Sequence, residues 1–194
     1  MKDRRTVHDA RATMLARAFY HDPIISWVLP EDSHRVDVYA TCLDLLIAAT
    51  ETRGHILANE DGTVLQLWHT VTEQAEPGLL DADDGQRMRD ACGEYGPRAD
   101  QLVDAMDRLH PAEPHHYLAV IGTDLAHQGR GLGSAALENA LAACDASGLP
   151  SYLEATSARS AQLYRRLGFH DCPGPVALAP GAPLLYPLWR PAPA

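Results

Sequence analysis

The spacing of apolar residues predicts that helices and strands alternate along the chain. A helical period of apolar residues predicts helices over residues 7–20, 33–53, 131–147 and 158–167, and a pair of helices over residues 79–110. Compact or alternating apolar runs predict strands over residues 55–59, 63–70, 117–122, 152–156 and 184–189. The chain is therefore expected to combine both element types in an α/β (mixed α+β) fold.

Residues that break or turn the backbone divide these elements. The Asp22-Pro23 step is expected to end the first helix, because the residue before a proline is disfavoured in helical conformation. Asp61-Gly62, between two apolar runs, predicts the tight turn of a β-hairpin. Pro187 interrupts the last predicted strand, which therefore fits an edge strand better than a central one.

Length and composition fit one domain over residues 1–194. The longest apolar run is too short to span a membrane, and no apolar stretch follows the basic N-terminal residues, so a cytoplasmic location without membrane association is expected. The net charge is −10, and the stretch from Glu73 to Glu113 contributes −7 of it, with 11 acidic residues and four arginines. Such a chain is not expected to bind nucleic acid, although it could attract cationic amines.

Cysteines and histidines do not occur in the spacings of a metal site. His115 and His116 are adjacent in a predicted strand, so their side chains point to opposite faces of the sheet. No metal ion is therefore expected. Four cysteines stand far apart and are expected to be buried as small apolar residues: Cys42, Cys92, Cys144 and Cys172.

The segment Gln128-Gly-Arg-Gly-Leu-Gly-Ser134 lies between a predicted strand and a predicted helix. Glycines permit positive φ, and a helix start offers free N–H groups, so the turn suits a phosphate or pyrophosphate. A plain tight turn would also need glycine. No Lys-Ser/Thr pair follows, which excludes a P-loop. A dinucleotide-binding interpretation is available through Gly131, Gly133, Ala136 and Glu154, but fewer than 60 residues follow Ala136.

Two separated motifs together resemble the GNAT superfamily of acyl-CoA-dependent N-acyltransferases. One is the Gln-x-x-Gly-x-Gly turn that begins at Gln128, and the other is Tyr164 followed by Gly168-Phe169. Within that superfamily the chain looks like the puromycin N-acetyltransferase group, although Ser160 stands where that group often carries Asn. The segments that carry this finer resemblance are Glu113-Pro114, Tyr117-Leu118-Ala119, His127 to Ser134 and Leu153-Glu154.

The resemblance implies a central, mixed and mostly antiparallel twisted sheet flanked by helices, with a first strand that is short or absent. It implies acetyl-CoA as the acyl donor, a small-molecule amine as the acceptor, and a monomer or homodimer. The pantetheine arm would lie along Val120, Ile121, Gly122 and Thr123. The pyrophosphate would bind to Gln128, Gly129, Arg130, Gly131, Leu132, Gly133 and Ser134.

The resemblance also assigns catalytic roles. Tyr164 would be the general acid that protonates the leaving thiolate, since a phenol is protonated at neutral pH; aromatic packing is the alternative. Glu154 would be the base or the amine anchor, unless it only pairs with Arg159. His116 and Glu113 are further candidates for the base. A catalytically lapsed acyl-CoA-binding module, and an acetyltransferase acting on protein N-termini or lysines, remain the alternative functions.

Overall fold

The structure is a computed structural model that describes residues 9–72 and 79–193. Its helices are α1 (Ala10–Ala18), α2 (Pro23–Val28), α3 (Asp32–Arg53), α4 (Ala82–Cys92), α5 (Gly96–Leu109), α6 (Leu132–Ser147) and α7 (Ala158–Arg166). Its strands are β1 (Gly54–Ala58), β2 (Val64–Val71), β3 (His115–Thr123), β4 (Ser151–Ala155), β5 (His170–Asp171), β6 (Val176–Ala177) and β7 (Leu184–Arg190). The predicted first helix falls partly on residues 7 and 8, which lie outside the described ranges.

The strands form one mixed sheet in the order β1-β2-β3-β4-β7-β5, with β6 paired to β7. Only the pair of β3 and β4 is parallel among the described strands. Helices α1 and α3 cover one face through Leu15 and Leu43, while α6 and α7 cover the other through Leu137 and Ala161. The predicted mostly antiparallel sheet flanked by helices is confirmed.

Strands β3 and β4 pair over a short distance and then separate. Their register includes only His116 with Ser151 and Tyr117 with Tyr152. Strand β3 continues to Thr123, and its other edge stays paired to β2 up to that residue. The second half of β3 therefore leaves backbone groups on its β4 side without a strand partner in the described part of the chain.

A β-bulge lies in β3 at Ala119. Leu67 of β2 is opposite Val120 and Trp68 is opposite Leu118, so Ala119 is an extra residue in the ladder. Ala119 and Val120 consequently both face the α1–α3 side, whereas Leu118 faces α6. A bulge bends its strand and redirects side chains, and here it does so where β3 leaves β4.

Helix α1 packs directly onto the end of β3 at Gly122. A Cβ atom at that position would come within 2.5 Å of the Leu15 Cδ2 atom, a distance that forces a shift. The glycine thus permits the close approach of α1 to the strand. Leu15 itself is fully buried.

The acidic helices α4 and α5 form a further layer together with α2. Their shared apolar cluster contains Ile24, Val28, Cys92 and Ala99, and it includes Cys42 of α3. The prediction of two helices between residues 79 and 110 is confirmed, with the break at Gly93–Tyr95. The charged residues of this segment therefore lie on helices that are anchored by an apolar side.

The Asp22-Pro23 step starts a helix that the sequence analysis missed. Asp22 caps α2 by accepting hydrogen bonds from the backbone N–H groups of Ile24 at 3.0 Å and Ile25 at 3.1 Å. Proline is favourable in the first helical turn, where no N–H partner is needed. The first helix ends before this step, at Ala18.

The prediction that the last strand lies at an edge is wrong. Strand β7 pairs with β4 on one side and with β5 and β6 on the other. The carbonyl of Pro187 accepts from the Cys172 N–H at 3.0 Å, so the side of Pro187 that lacks a donor faces the end of β5. Because β5 ends at Asp171, the missing N–H group interrupts little of the ladder.

Three further expectations concern the cysteines, the first strand and a membrane span. Cys42, Cys92 and Cys144 are buried, but Cys172 is exposed, so the expectation is wrong for that cysteine. A first strand, expected to be short or absent, would precede α1 on residues that lie outside the described ranges. No helix in the same ranges is both long and apolar enough to cross a membrane.

Candidate active site

A cavity of about 1600 Å³ lies where β3 and β4 separate. Pockets for one small ligand commonly measure about 300–1,000 Å³, so this cavity can hold two reactants together. Its walls come from residues 120–123 of β3, residues 127–129 of the following loop, residues 131–134 at the start of α6, residues 153–156 at the end of β4, α5, and the turn between α1 and α2. The cavity thus joins the glycine-rich turn to the two proposed catalytic residues.

The glycine-rich turn has the backbone conformation that an anion site needs. Gly129 and Gly131 have φ values of 74° and 80°. Gly131 precedes α6 as a cap without a side-chain hydrogen bond, so the first N–H groups of α6 have no side-chain acceptor there. A Cβ atom on Gly131 would meet nothing within 4 Å, which leaves space at the helix start. These features fit a pyrophosphate, which helix N-termini favour through their N–H groups and dipole.

The turn also contains two long polar side chains, those of Gln128 and Arg130. The Gln128 side chain donates to the Thr123 carbonyl at 3.1 Å and to the Ala18 carbonyl at 3.5 Å, so it holds the loop against β3 and α1. Arg130 is exposed and lies outside the residues that line the cavity. Leu132, Gly133 and Ser134 do line it.

The four β3 residues predicted to hold the donor all line the cavity: Val120, Ile121, Gly122 and Thr123. They follow the bulge and lie beyond the last pairing between β3 and β4. An extended chain with amide groups can hydrogen-bond to such an open strand edge. A pantetheine arm has this chemistry, and the open edge therefore fits it.

Glu154 lies on β4 at the point of separation and lines the cavity. Its Oε2 atom accepts a hydrogen bond from the Tyr117 hydroxyl at 2.9 Å. Its Oε1 atom is buried and has no hydrogen-bond partner among the described residues. Burial raises the pKa of Glu154 to about 7, while the hydrogen bond from Tyr117 opposes that rise. A carboxyl group with this pKa can both accept and release a proton near neutral pH.

Aromatic side chains support Glu154 from one side. The rings of Tyr117 and Tyr152 stack with centroids 5.9 Å apart, and the Tyr152 hydroxyl donates to the Leu109 carbonyl at 3.1 Å. The His110 ring lies 4.7 Å from Tyr117. Burial raises the pKa of the Tyr117 phenol, so this group stays protonated and continues to donate to Glu154. Sequence analysis assigned no role to Tyr117.

Tyr164 is buried on α7, and its side chain also lines the cavity. Its ring packs edge-on against Phe169, with centroids 6.0 Å apart. Burial raises the pKa of the Tyr164 phenol, and the nearby charge of Asp22 adds to the rise. The phenol is therefore protonated at neutral pH, as a proton donor must be.

Asp22 is a cavity residue that sequence analysis treated only as a helix stop. Besides capping α2, its Oδ2 atom accepts a hydrogen bond from the Thr156 hydroxyl at the end of β4. Burial raises the pKa of Asp22. Asp22 therefore ties the turn between α1 and α2 to the strand that carries Glu154. A buried carboxylate between two distant elements leaves no local pattern in the sequence.

The alternative candidates for the base do not line the cavity. His116 hydrogen-bonds through its ring to Thr70 at 3.2 Å and to Ser147 at 2.7 Å, and Glu113 is exposed. Arg159 lines the cavity, yet in the described part of the chain the hydrogen-bond donor to Glu154 is Tyr117 and not Arg159. No group of His, Cys, Asp and Glu residues in the described ranges is arranged to hold a metal ion.

Comparison with known proteins assigns the family. The profile of the acetyltransferase (GNAT) family matches residues 17–169, which include the glycine-rich turn, Glu154 and Tyr164. Fold and site together define an acetyltransferase of this architecture. The chain belongs to the GNAT acetyltransferase family.

Solved structures of acetyltransferases have a similar fold. A Corynebacterium glutamicum protein, described as histone acetyltransferase HPA2 and related acetyltransferase, is 26% identical; the match covers 94% of this chain and 90% of that one, with a TM-score of 0.69. Arylalkylamine N-acetyltransferase 2 from Aedes aegypti is 11% identical over 93% of both chains, with a TM-score of 0.55. An N-acetyltransferase from Staphylococcus aureus Mu50 is 14% identical over 94% of this chain and 97% of that chain, with a TM-score of 0.50.

Proposed function

We propose that this acetyltransferase moves the acetyl group of acetyl-CoA directly to an amino group on a small molecule. Acetyl-CoA supplies an acetyl group activated as a thioester. Within the family, the motifs around Tyr117 and Glu154 favour the puromycin N-acetyltransferase-like group. A cytoplasmic location, a monomeric or homodimeric state and the lack of nucleic-acid or membrane partners remain predictions.

The donor would be held mainly by backbone groups. The N–H groups at the start of α6 and around Gly129 and Gly131 suit the two phosphates. The open edge of β3 over residues 120–123 suits the amide groups of the pantetheine arm. A backbone N–H group on this edge can also stabilise the carbonyl oxygen as it gains negative charge during the transfer.

Glu154 and Tyr164 would each carry out one of the two proton transfers of the reaction. Glu154 accepts a proton from the attacking amine, because its Oε1 atom is free of other partners and its pKa lies near neutrality. The new N–C bond forms as the C–S bond breaks. Tyr164 gives its proton to the departing sulfur. The next reaction requires Glu154 to lose its proton and Tyr164 to regain one, and solvent can serve both steps.

The observation that carries this proposal is the buried, unpartnered Oε1 atom of Glu154, in the same cavity as the glycine-rich turn. We expect the wild-type protein to release coenzyme A from acetyl-CoA in the presence of amines. Its kcat should rise with pH around the Glu154 pKa of about 7, because the deprotonated carboxylate is the active form.

The Glu154→Gln variant tests this assignment, because it keeps the shape of the side chain and removes its ionisation. We expect kcat to fall by about 10²- to 10⁴-fold and the limb near pH 7 to disappear, while acetyl-CoA still raises the melting temperature. An unchanged pH profile in this variant would exclude Glu154 as the base. Acetyl-CoA binding without turnover of any amine would instead favour a lapsed acyl-CoA-binding module. Transfer to peptides alone would favour a protein acetyltransferase.

A further inference from the structure

One face of α5 forms an acidic wall of the cavity. Asp100, Asp104, Asp107 and His110 follow one another at helical spacing, and all four line the cavity. Tyr117 and Glu154 line the same cavity. Asp107 lies near enough to Glu154 for its charge to contribute to the raised pKa of Glu154. The acidic wall and the proposed base therefore belong to one space.

Only one of these aspartates is neutralised by a basic partner in the described part of the chain. Asp100 accepts a hydrogen bond from Arg89 at 2.7 Å in an ion pair. Asp104 and Asp107 are both exposed and have neither an ion pair nor a side-chain hydrogen bond in the described ranges, and the charge of Arg89 lies near Asp104. Burial, followed by the nearby charge of Asp104, raises the pKa of Asp107. Two neighbouring carboxylates without partners disfavour each other and favour a cation between them.

The carboxyl group of Glu154 is a second feature of this cavity that suits an amine. Its buried Oε1 atom has no hydrogen-bond partner in the part of the chain that the structure describes. A buried acceptor without a partner is costly, and a bound amine can satisfy it. Apolar residues of the same helix, Val103 and Met106, line the cavity beside the two aspartates and can contact methylene groups.

We infer that the acceptor is an aliphatic diamine or polyamine, whose reacting amine lies at Glu154 and whose second ammonium group is bound by Asp104 and Asp107. This inference rests on the proposed acetyl transfer. The first amine must be neutral to attack, whereas the second stays protonated and pairs with carboxylates. The carbon chain between them would contact the apolar side chains of α5. Asp104 and Asp107 act as specificity-determining residues and take no part in proton transfer.

The test compares two acceptors of equal chain length, 1,4-diaminobutane and n-butylamine, as substrates of the full chain. We expect the wild-type protein to acetylate the diamine with a kcat/KM at least about tenfold higher, since a charge-assisted contact is typically worth that much or more. The Asp104→Asn/Asp107→Asn double variant should lower kcat/KM for the diamine about ten- to hundredfold, mainly through KM. Its kcat/KM for n-butylamine should stay within about twofold when it is measured above the pH limb of Glu154, where this carboxyl group is ionised with or without the charge of Asp107.

The control is Asp37→Asn, which makes the same chemical change once, at an exposed position of α3 outside the cavity lining. It should leave both substrates unaffected. The melting temperature of the double variant, and its rise with acetyl-CoA, show that the fold and the donor site are intact. Equal kcat/KM for the two amines, or an equal loss for both in the double variant, would overturn the diamine inference alone. A wild-type protein that acetylates no amine would overturn the proposed function as well.

Discussion

The proposed donor and acceptor halves of the cavity would recognise their ligands with different parts of the chain. The donor half consists of the glycine-rich turn, the start of α6 and the open edge of β3, and it offers mostly backbone N–H and carbonyl groups. The acceptor half consists of Glu154, Tyr117 and the acidic face of α5, and it offers side chains from separate elements. Backbone groups depend on local conformation, which glycine and helix starts determine. Side-chain groups depend on how distant elements pack.

This difference predicts different responses to mutation. A donor that is held by many backbone groups should tolerate most side-chain changes and fail only where a side chain fills the space. The acceptor half should also respond to the loss of single atoms, even where the shape of the cavity does not change. Tyr164 lies between the halves, because its proposed role is to protonate the sulfur of the donor while its ring is part of the core.

The largest effect is expected for Tyr164→Phe, which removes only the hydroxyl group. A general acid typically contributes about 10²- to 10⁴-fold, so kcat should fall by at least about 10²-fold. Ring packing against Phe169 is retained, so the melting temperature and the affinity for acetyl-CoA should change little. Kinetics under conditions where chemistry limits turnover provide the measurement.

Tyr186→Phe serves as a matched control, because Tyr186 packs against the same apolar cluster and does not line the cavity. It should leave kcat unchanged. A Tyr164→Phe protein with kcat within about threefold of wild type, well below the usual contribution of a general acid, would show that Tyr164 is a packing residue.

Gly131→Val should abolish the stabilisation that acetyl-CoA confers, because the new side chain would occupy the space beside the start of α6. Acetyl-CoA at a hundred times its dissociation constant should add about 2.7 kcal/mol to the free energy of unfolding of the wild-type protein. Thermal unfolding with and without acetyl-CoA measures this difference.

Gly62→Val controls for backbone strain. Gly62 has a φ of 65°, and a Cβ atom there would meet nothing within 4 Å, as is also true at Gly131. Gly62 differs in that it lies in the β1–β2 turn, outside the cavity lining. This variant should lose stability and still respond to acetyl-CoA. A normal response in Gly131→Val would mean that the phosphates bind elsewhere.

The smallest effect is expected for Tyr117→Phe. The hydrogen bond from Tyr117 lowers the pKa of Glu154 against the larger effect of burial, so its loss should move the limb of the kcat–pH profile to higher pH. A shift of about one pH unit would lower kcat about tenfold below pH 7 and leave it unchanged well above the limb. A uniform loss at every pH would indicate that Tyr117 acts on packing instead.

The sequence indicated more of the residues that line the proposed donor half than of those that surround Glu154. The glycine-rich turn, the helix after it and the strand before it form one continuous segment, so their relation is local. Glu154 and Tyr164 were predicted through the family resemblance. The residues that surround them were not, because Tyr117 lies 37 positions from Glu154, and Asp22 lies 134 positions from Thr156. Their contacts depend on strand pairing and helix packing that no short pattern encodes.

The differences at Asp22-Pro23 and Pro187 have a related cause. Asp22-Pro23 can end one helix or start another, and only the packing of α2 against α5 and α3 decides between them. Pro187 weakens a central strand only where a neighbour would need its N–H group, and β5 ends before that point. In both cases the proline has no N–H group to donate, as local propensity assumes. The tertiary structure determines whether a hydrogen bond is lost at that position.

The bulge at Ala119 has a consequence for how the length of β3 can change. Successive residues of a strand alternate between faces, so removing one residue elsewhere in β3 would exchange the faces of all residues on one side of the deletion. Ala119 and Val120 share a face, and deletion of Ala119 would therefore leave Leu118, Val120 and Ile121 on their present sides. Deletion of Ala119 would therefore change the bend of β3 while every other side chain of the strand stays on its present face of the sheet.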